Sequence, residues 1–244
     1  MGGAEAELGI TALSEGTHTI TANATDADSN TSEPPDASLT VLIDKSAPTL
    51  SFVGAINDGD EFHFGDTPAA PTCSADDGLG GSGVDGACTV SGYGTAVGTH
   101  TLATNAVKDV AGNEAQALSL TYRVLPWTIN GFYSPVDMPG ELNTVNVAKA
   151  GSTVPLKFEV FKGTTELTNI GAVKAFTQKI TCPTLGSSDD IEKYASGKTV
   201  LRYDAIAGQF VFNWQTPKSP GSCYEVTMSA KDNYSKITAY FRLK

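Results

Sequence analysis

Gly98-Thr99-His100-Thr101-Leu102, then Asp109-Val110-Ala111-Gly112-Asn113, then Ser119-Leu120-Thr121-Tyr122: this stretch decides how the chain is read, because it has an earlier copy. The copy runs Gly16-Thr17-His18-Thr19-Ile20, then Asp26-Ala27-Asp28-Ser29-Asn30, then Ser38-Leu39-Thr40-Val41, at offsets of 81 to 83 residues. Each copy reads as a β-hairpin. Thr17, Thr19 and Thr21 alternate with His18 and Ile20, the period of two that a half-buried strand needs. The Asp-x-x-x-Asn segment interrupts that alternation with turn formers, and a second strand follows. A unit repeated at about 80 residues predicts an array of small β-sandwiches rather than one enzyme domain.

A length of 244 residues allows one to three domains, and the repeat favours small ones. No run of about twenty apolar residues occurs, so no membrane span is expected. Met1-Gly2-Gly3 has neither a basic region nor an apolar one, so no signal peptide is expected there. The chain reads as a piece of something longer, exported by a signal that lies elsewhere. The net charge of −11 is unevenly spread. Residues 1–125 hold three basic against seventeen acidic side chains, a net of −14, and residues 126–244 hold thirteen against ten, a net of +3. Strong negative charge argues against nucleic acid, whose phosphates need Lys and Arg. It favours solubility and cations, and its plainest explanation is a solvated extracellular surface.

The four cysteines, Cys73, Cys88, Cys182 and Cys223, form no C-x-x-C and have no His at zinc-finger spacing. Sequence alone allows three pairings. Domain boundaries favour the local ones, Cys73–Cys88 and Cys182–Cys223. Two disulfides imply an oxidising compartment.

In chain order, residues 1–44 read as the C-terminal part of a repeat, with Leu8-Gly9-Ile10-Thr11, the first hairpin and little else. That is about three strands, where a sandwich needs about seven. Such a fragment exposes an apolar face and unpaired edges. It is to be completed by another chain or by preceding residues, or else it stays loosely ordered. Residues 45–125 read as one complete repeat, entered through the stiff joint Asp44-Lys45-Ser46-Ala47-Pro48. Residues 126–244 form a longer unit. Its long strand alternates cleanly, with Val154, Leu156, Phe158 and Val160 on one face, and further strands are expected at 172–181, 199–203, 209–214, 223–230 and 236–243. Asp189-Asp190-Ile191-Glu192 suggests one capped helical turn. A strand closing at the last residues suggests Lys244 as a natural terminus.

Residues 44–125 resemble the bacterial immunoglobulin-like repeats of secreted and surface proteins, near the HYR type. The resemblance is carried by Ala47-Pro48-Thr49, by the block Cys73…Asp77…Ser82-Gly83-Val84…Cys88, by Val97-Gly98-Thr99-His100-Thr101 and by Asp109-x-Ala111-Gly112-Asn113. Residues 11–49 look like the end of a preceding repeat, although Asp26-Ala27-Asp28-Ser29-Asn30 departs from the usual Gly-Asn turn. Residues 130–244 resemble the PxKF domain, through Gly131-Phe132-Tyr133-x-Pro135-Val136, Ala150-Gly151-x-x-Val154-Pro155-Leu156-Lys157-Phe158 and Ser219-Pro220-Gly221-x-Cys223-Tyr224. These resemblances imply an all-β chain of tandem immunoglobulin-like sandwiches arranged end to end, from an extracellular bacterial protein, secreted or attached to the cell surface. They carry over no catalytic residue.

The candidate chemistry is cation binding. Asp26-x-Asp28-x-Asn30 has the spacing of oxygen ligands converging on calcium in a tight loop, without the Gly and distal Glu of an EF-hand. Asp44, Asp76, Asp77, Asp109 and Asn113 are expected near one another, where the first repeat joins the second. Calcium there would relieve carboxylate repulsion. Competing with this is ordinary turn formation by Asp and Asn. His18, His63 and His100 form no triad with Ser and Asp, so no enzyme is expected. His18 and His100 share a repeat position, which points to a structural role. Trp127, Phe132, Tyr133, Trp214 and Tyr224 suggest a sugar-stacking platform or, better, core. Lys157 lies in an apolar run, either cross-linked to an Asn or Asp or reaching solvent along its stem. The expected function is a structural stalk or presenting segment, as in an adhesin. The alternative is a carbohydrate- or surface-binding accessory module of an exported hydrolase. Expected partners are neighbouring immunoglobulin-like domains, of this or another chain, and a cell-surface or polysaccharide ligand.

Overall fold

The computed structural model describes residues 13–33, 37–138, 144–183 and 188–244; the strand expected around Leu8 lies outside them. The fold is all-β, with a short 3-10 turn at Ile170–Ala172. In β1 (Gly16–Ala22) and β2 (Ala37–Ile43) the threonine alternation gives one antiparallel hairpin, Gly16 opposite Ile43 and Ala22 opposite Ala37. Among the described residues these two strands form a sheet of their own.

Next come β3 (Thr49–Val53), β4 (Glu61–His63), β5 (Thr72–Asp76), β6 (Val84–Asp85) and β7 (Val90–Ser91). The second hairpin follows as β8 (Gly98–Thr104), β9 (Val107–Asp109), β10 (Glu114–Ala115) and β11 (Ser119–Leu125). β3 pairs with β5, β9 lies between β10 and β6, and β4-β11-β8-β7 make a four-stranded sheet. β11 meets β4 in parallel, with Val124 opposite Phe62.

The described residues group into two compact units. The first takes residues up to 58, with 68–93 and 101–121. Leu50, Val107 and Ala115 are buried together there, with Ala75, Val84, Cys88 and Leu118 against them. Cys73 and Cys88 are disulfide-bonded, pinning β5 to the segment before β7.

The second unit takes residues 59–67, 94–100 and 122–244. Its further strands are β12 (Thr128–Tyr133), β13 (Val145–Ala148), β14 (Thr153–Lys162), β15 (Thr165–Glu166), β16 (Val173–Ile180), β17 (Ser188–Asp190), β18 (Val200–Asp204), β19 (Gln209–Gln215), β20 (Cys223–Ala230) and β21 (Lys236–Leu243). One sheet runs β12-β14-β19-β18 with β15 on β14, and the other runs β16-β20-β21-β13-β17. The alternating apolar residues of β14 (Val154, Leu156, Phe158, Val160) are wholly buried. They pack with Phe210, Phe212 and Trp214 of β19 against Val226 and Met228 of β20 and Ala239, Phe241 and Leu243 of β21. Trp214 meets Phe241 at 4.9 Å between ring centres, one ring from each sheet. This is the two-layer packing of an immunoglobulin-like sandwich. Each such large apolar side chain contributes about 1.5–3 kcal/mol of burial. Cys182 and Cys223 are disulfide-bonded, as the local pairing requires.

One expectation is corrected. Asp189 and Asp190 begin no helical turn. They end β17, which runs parallel to β13 with Val145 opposite Ser188 and Val147 opposite Asp190. The Ile191 N–H donates to Val147 O at 2.9 Å, and the Ile191 side chain is buried. Ladder bonding and burial of Ile191 outweigh the capping tendency of the two acids, because three consecutive backbone groups are paired at once.

Candidate cation site

Three strand ends in the first unit bring their acids together. Asp44 follows β2, Asp77 follows β5 and Asp109 closes β9. One carboxylate oxygen from each lies within 4.8 Å of the other two. Asp109 is only 1% exposed, while Asp44 and Asp77 are half-buried.

The local chain explains why they converge. Antiparallel pairing of β6 with β9 sets Val84 opposite Asp109, so the loop that leads to β6 arrives beside it. The Gly83 N–H donates to Asp77 Oδ2 at 2.6 Å, and the Val110 N–H donates to Gly83 O at 2.8 Å. The Ser82 N–H donates to Asp44 Oδ2 at 2.7 Å, and the Ser46 N–H to Asp44 Oδ1 at 3.1 Å. Asn113 closes the group from the repeated turn. Its N–H donates to Asp109 Oδ1 at 2.8 Å, and its Nδ2 donates to Asp109 Oδ2 at 2.7 Å and to Asp44 O at 3.1 Å. Asp77 Oδ1 is shielded from solvent and has no hydrogen-bond partner.

Hydrogen bonds from Ser82 hold the Asp44 carboxyl below the ordinary carboxylate range, so it stays ionised. Two like charges about 4 Å apart repel by roughly 1 kcal/mol in water and about 4 kcal/mol at a protein surface. Three carboxylates crowd here. All the side-chain donors are oxygens, one of them unpartnered, which suits a hard cation that takes six to eight oxygen ligands. Asp76 stands beside the group: its Oδ1 accepts from the Gly78 N–H at 3.0 Å. With Glu15, Asp44 and Asp77 it lines an open acidic hollow of about 510 Å³.

The other predicted cluster stays apart. Asp26 Oδ1 accepts from the N–H groups of Asp28 and Asn30, both at 2.9 Å, and Asp26 Oδ2 accepts from Asn30 Nδ2 at 2.9 Å. These bonds hold its carboxyl below the ordinary range, the Asn30 side chain contributing most. Asp26 with Asn30 thus makes the same turn as Asp109 with Asn113, in an exposed setting. Ser82, Gly83 and Glu15 were not singled out from sequence as parts of a site. The first two lie inside the Cys73…Cys88 block, whose spacing was the available signal.

The remaining candidates resolve into packing. Phe132, Trp214 and Tyr224 are core. Trp127 is half-buried against that core, and its Nε1 donates to Phe64 O at 2.9 Å. Tyr133 donates to Glu159 Oε2 at 2.8 Å, and burial followed by that carboxylate pushes its hydroxyl up to about 12. His18 and His100 each meet the carbonyl four residues back, Ser14 O at 2.8 Å and Ala96 O at 2.7 Å. No cysteine is free.

No known protein family matches the chain, and no curated protein does. Among solved structures the chain is similar to the I9–I11 tandem from titin, with 12% identity, 94% of this chain and 93% of that one covered, and a TM-score of 0.33. It is also similar to the D00-D0 domain of intimin (14% identity, 78% and 96% covered, TM-score 0.21). A third is extracellular domains 3–5 of Drosophila OTK (12% identity, 88% and 69% covered, TM-score 0.27). Among the described residues no helix is long and apolar enough to cross a membrane.

Proposed function

We propose that this chain is a structural, presenting segment of a secreted or surface-attached bacterial protein, built of an immunoglobulin-like repeat fragment (1–44), a whole repeat (45–125) and a PxKF sandwich (126–244). One observation carries the reading: the same hairpin occurs twice with different burial. Leu120 is 8% exposed and its counterpart Leu39 is 61% exposed. Leu102, Tyr122 and Val124 are buried, and their counterparts Ile20, Val41 and Ile43 are not. In the second copy β4 flanks β11 and β7 flanks β8; among the described residues β1 and β2 pair only with each other. The first hairpin therefore accepts the front half of a repeat, with one strand parallel along β2 and one antiparallel along β1. That is joining by strand addition. Calcium at Asp44, Asp77 and Asp109 would stabilise the point where the first hairpin enters the whole repeat.

The test is hydrogen exchange on two chains, the present one and one in which a second copy of residues 45–97 is inserted directly before Gly16. Amides of β1 and β2 exchange fast in the first and become protected in the second, to the level of β8 and β11. Unchanged exchange in the extended chain rejects the reading.

A further inference from the structure

One hollow of the second unit is lined by side chains that the fold already holds in place. It measures about 400 Å³ and lies between the segment 166–172, which follows the start of β15, and the residue after β20. Leu167 and Ala172 supply apolar lining, with Trp127, Glu166, Asn169 and Lys231 beside them. The backbone sets this arrangement. The Leu167 N–H donates to Val160 O and the Lys231 N–H donates to Ala172 O, both at 2.8 Å. One wall is thus tied to β14, and the other to the 3-10 turn.

Three of these side chains are each pinned through one polar atom and keep something to offer. Trp127 Nε1 donates to Phe64 O at 2.9 Å, so the half-buried ring has only apolar surface left for a ligand. Glu166 Oε1 accepts from the Tyr203 hydroxyl at 2.7 Å, and Oε2 remains an acceptor. Asn169 Oδ1 accepts from the Gly171 N–H at 2.8 Å, and Nδ2 remains a donor. Asn169 and Lys231 are exposed and Glu166 is half-buried, so a solute reaches all three. Groups fixed before a ligand arrives lose little freedom when it binds. The charges of Glu166 and Lys231 offset one another, which favours a ligand without net charge.

We propose that this hollow binds a neutral sugar, one pyranose ring. The apolar C–H face of the ring rests on Trp127, one hydroxyl donates to Glu166 Oε2, and another accepts from Asn169 Nδ2. A ring with several hydroxyls meets an acceptor and a donor at once. An anion is repelled by Glu166 and a cation by Lys231. A peptide group also carries one donor and one acceptor, but brings no ring face for Trp127. The volume is at the lower end for small-molecule sites, about 300–1,000 Å³, which suits one ring. This site is independent of the calcium group and of the first hairpin, and adds a binding role to the structural one.

The full chain is titrated at matched ionic strength with glucose, galactose, N-acetylglucosamine, sodium glucuronate and N-acetylglycinamide, followed by amide and indole chemical shifts. At least one of the three neutral sugars saturates, with a Kd on the order of 1 mM. It moves the Trp127 indole N–H and the amides of residues 166–171 and 231. Glucuronate and N-acetylglycinamide bind at least about fivefold more weakly than that sugar. Asn169→Asp keeps the oxygen that accepts from the Gly171 N–H and removes only the donor. Glu166→Gln keeps an oxygen for the Tyr203 hydroxyl and removes the charged acceptor. Each weakens the sugar about five- to tenfold, the effect of one lost hydrogen bond. No saturation by any of the three sugars, equal or tighter binding of glucuronate or N-acetylglycinamide, or full affinity in either variant overturns the proposal.

Discussion

Asp26 and Asp109 show how one residue pair can serve two settings. Each accepts from the N–H and the Nδ2 of the Asn four positions on, so the turn is local and complete in both. Asp109 differs in its neighbours, Asp44 and Asp77. Asp232 is a third acid defined by its bonds. It is 4% exposed and accepts from the Trp127 N–H at 2.8 Å, the Tyr234 N–H at 3.0 Å and the Ser235 N–H at 2.9 Å. Burial alone would raise its carboxyl, but the bonds from Ser235, Tyr234 and Trp127 together hold it below the ordinary carboxylate value. A depressed carboxyl contributes stability above its unfolded pKa of about 4, lost as pH falls through the folded value. Asp232→Asn is therefore expected to cost about 1–3 kcal/mol at pH 7. The difference from the parent protein shrinks as pH falls below about 4. Denaturant melts at pH 7 and pH 2.5 measure both; an equal deficit at the two pH values would mean that the charge contributes nothing.

Among the elements, the repeated hairpin owes its start to glycine. Gly16 has φ +114° and Gly98 φ +140°, where a side chain is strained, so both copies open on the one residue that enters the strand freely. In the second unit, β14 is an unbroken apolar ridge, and the disulfide at Cys223 ties the start of β20 to the chain just past β16. The two disulfides close loops of 15 and 41 residues in sequence. Non-reducing peptide mapping should recover Cys73–Cys88 and Cys182–Cys223 and no mixed pair. Replacing Cys182 and Cys223 together by Ala should cost about 2–5 kcal/mol in the melt of residues 126–244, with the Cys73–Cys88 peptide unchanged. A cross-linked peptide joining Cys88 to Cys182 would overturn both the pairing and the boundary near residue 126.

At the scale of the molecule, charge is divided between the two parts of the sequence. A net of −14 over residues 1–125 adds to the repulsion among the three carboxylates that the fold holds together. Calcium is expected to raise the melting midpoint. At a free concentration ten times Kd the gain is about 1.4 kcal/mol, or roughly 3–6 °C for a chain of this size. Asp77→Asn should abolish the calcium effect. It should also raise the midpoint in EDTA, because it removes one of the three repelling charges. Scanning calorimetry of both proteins, with calcium and with EDTA, distinguishes this from a solvated acidic surface, for which neither midpoint moves with calcium.

The sequence by itself determined the elements whose cause is local. Period-two alternation placed β14 and assigned its buried face, since an apolar residue every second position has only one way to leave water. The repeat placed both hairpins, and the turn chemistry of Asp26-Asn30 and Asp109-Asn113 follows from residues four apart. The metal candidates were legible as acids but not as a group. Asp44, Asp77 and Asp109 are brought together by pairing of β6 with β9 and by N–H groups of Ser82 and Gly83, contacts that no spacing encodes. Asp189 and Asp190 went to a strand because a parallel neighbour, β13, was available at that place. Tertiary structure alone decided which of two equal hairpins is buried, because burial depends on which other strands are present to cover a face.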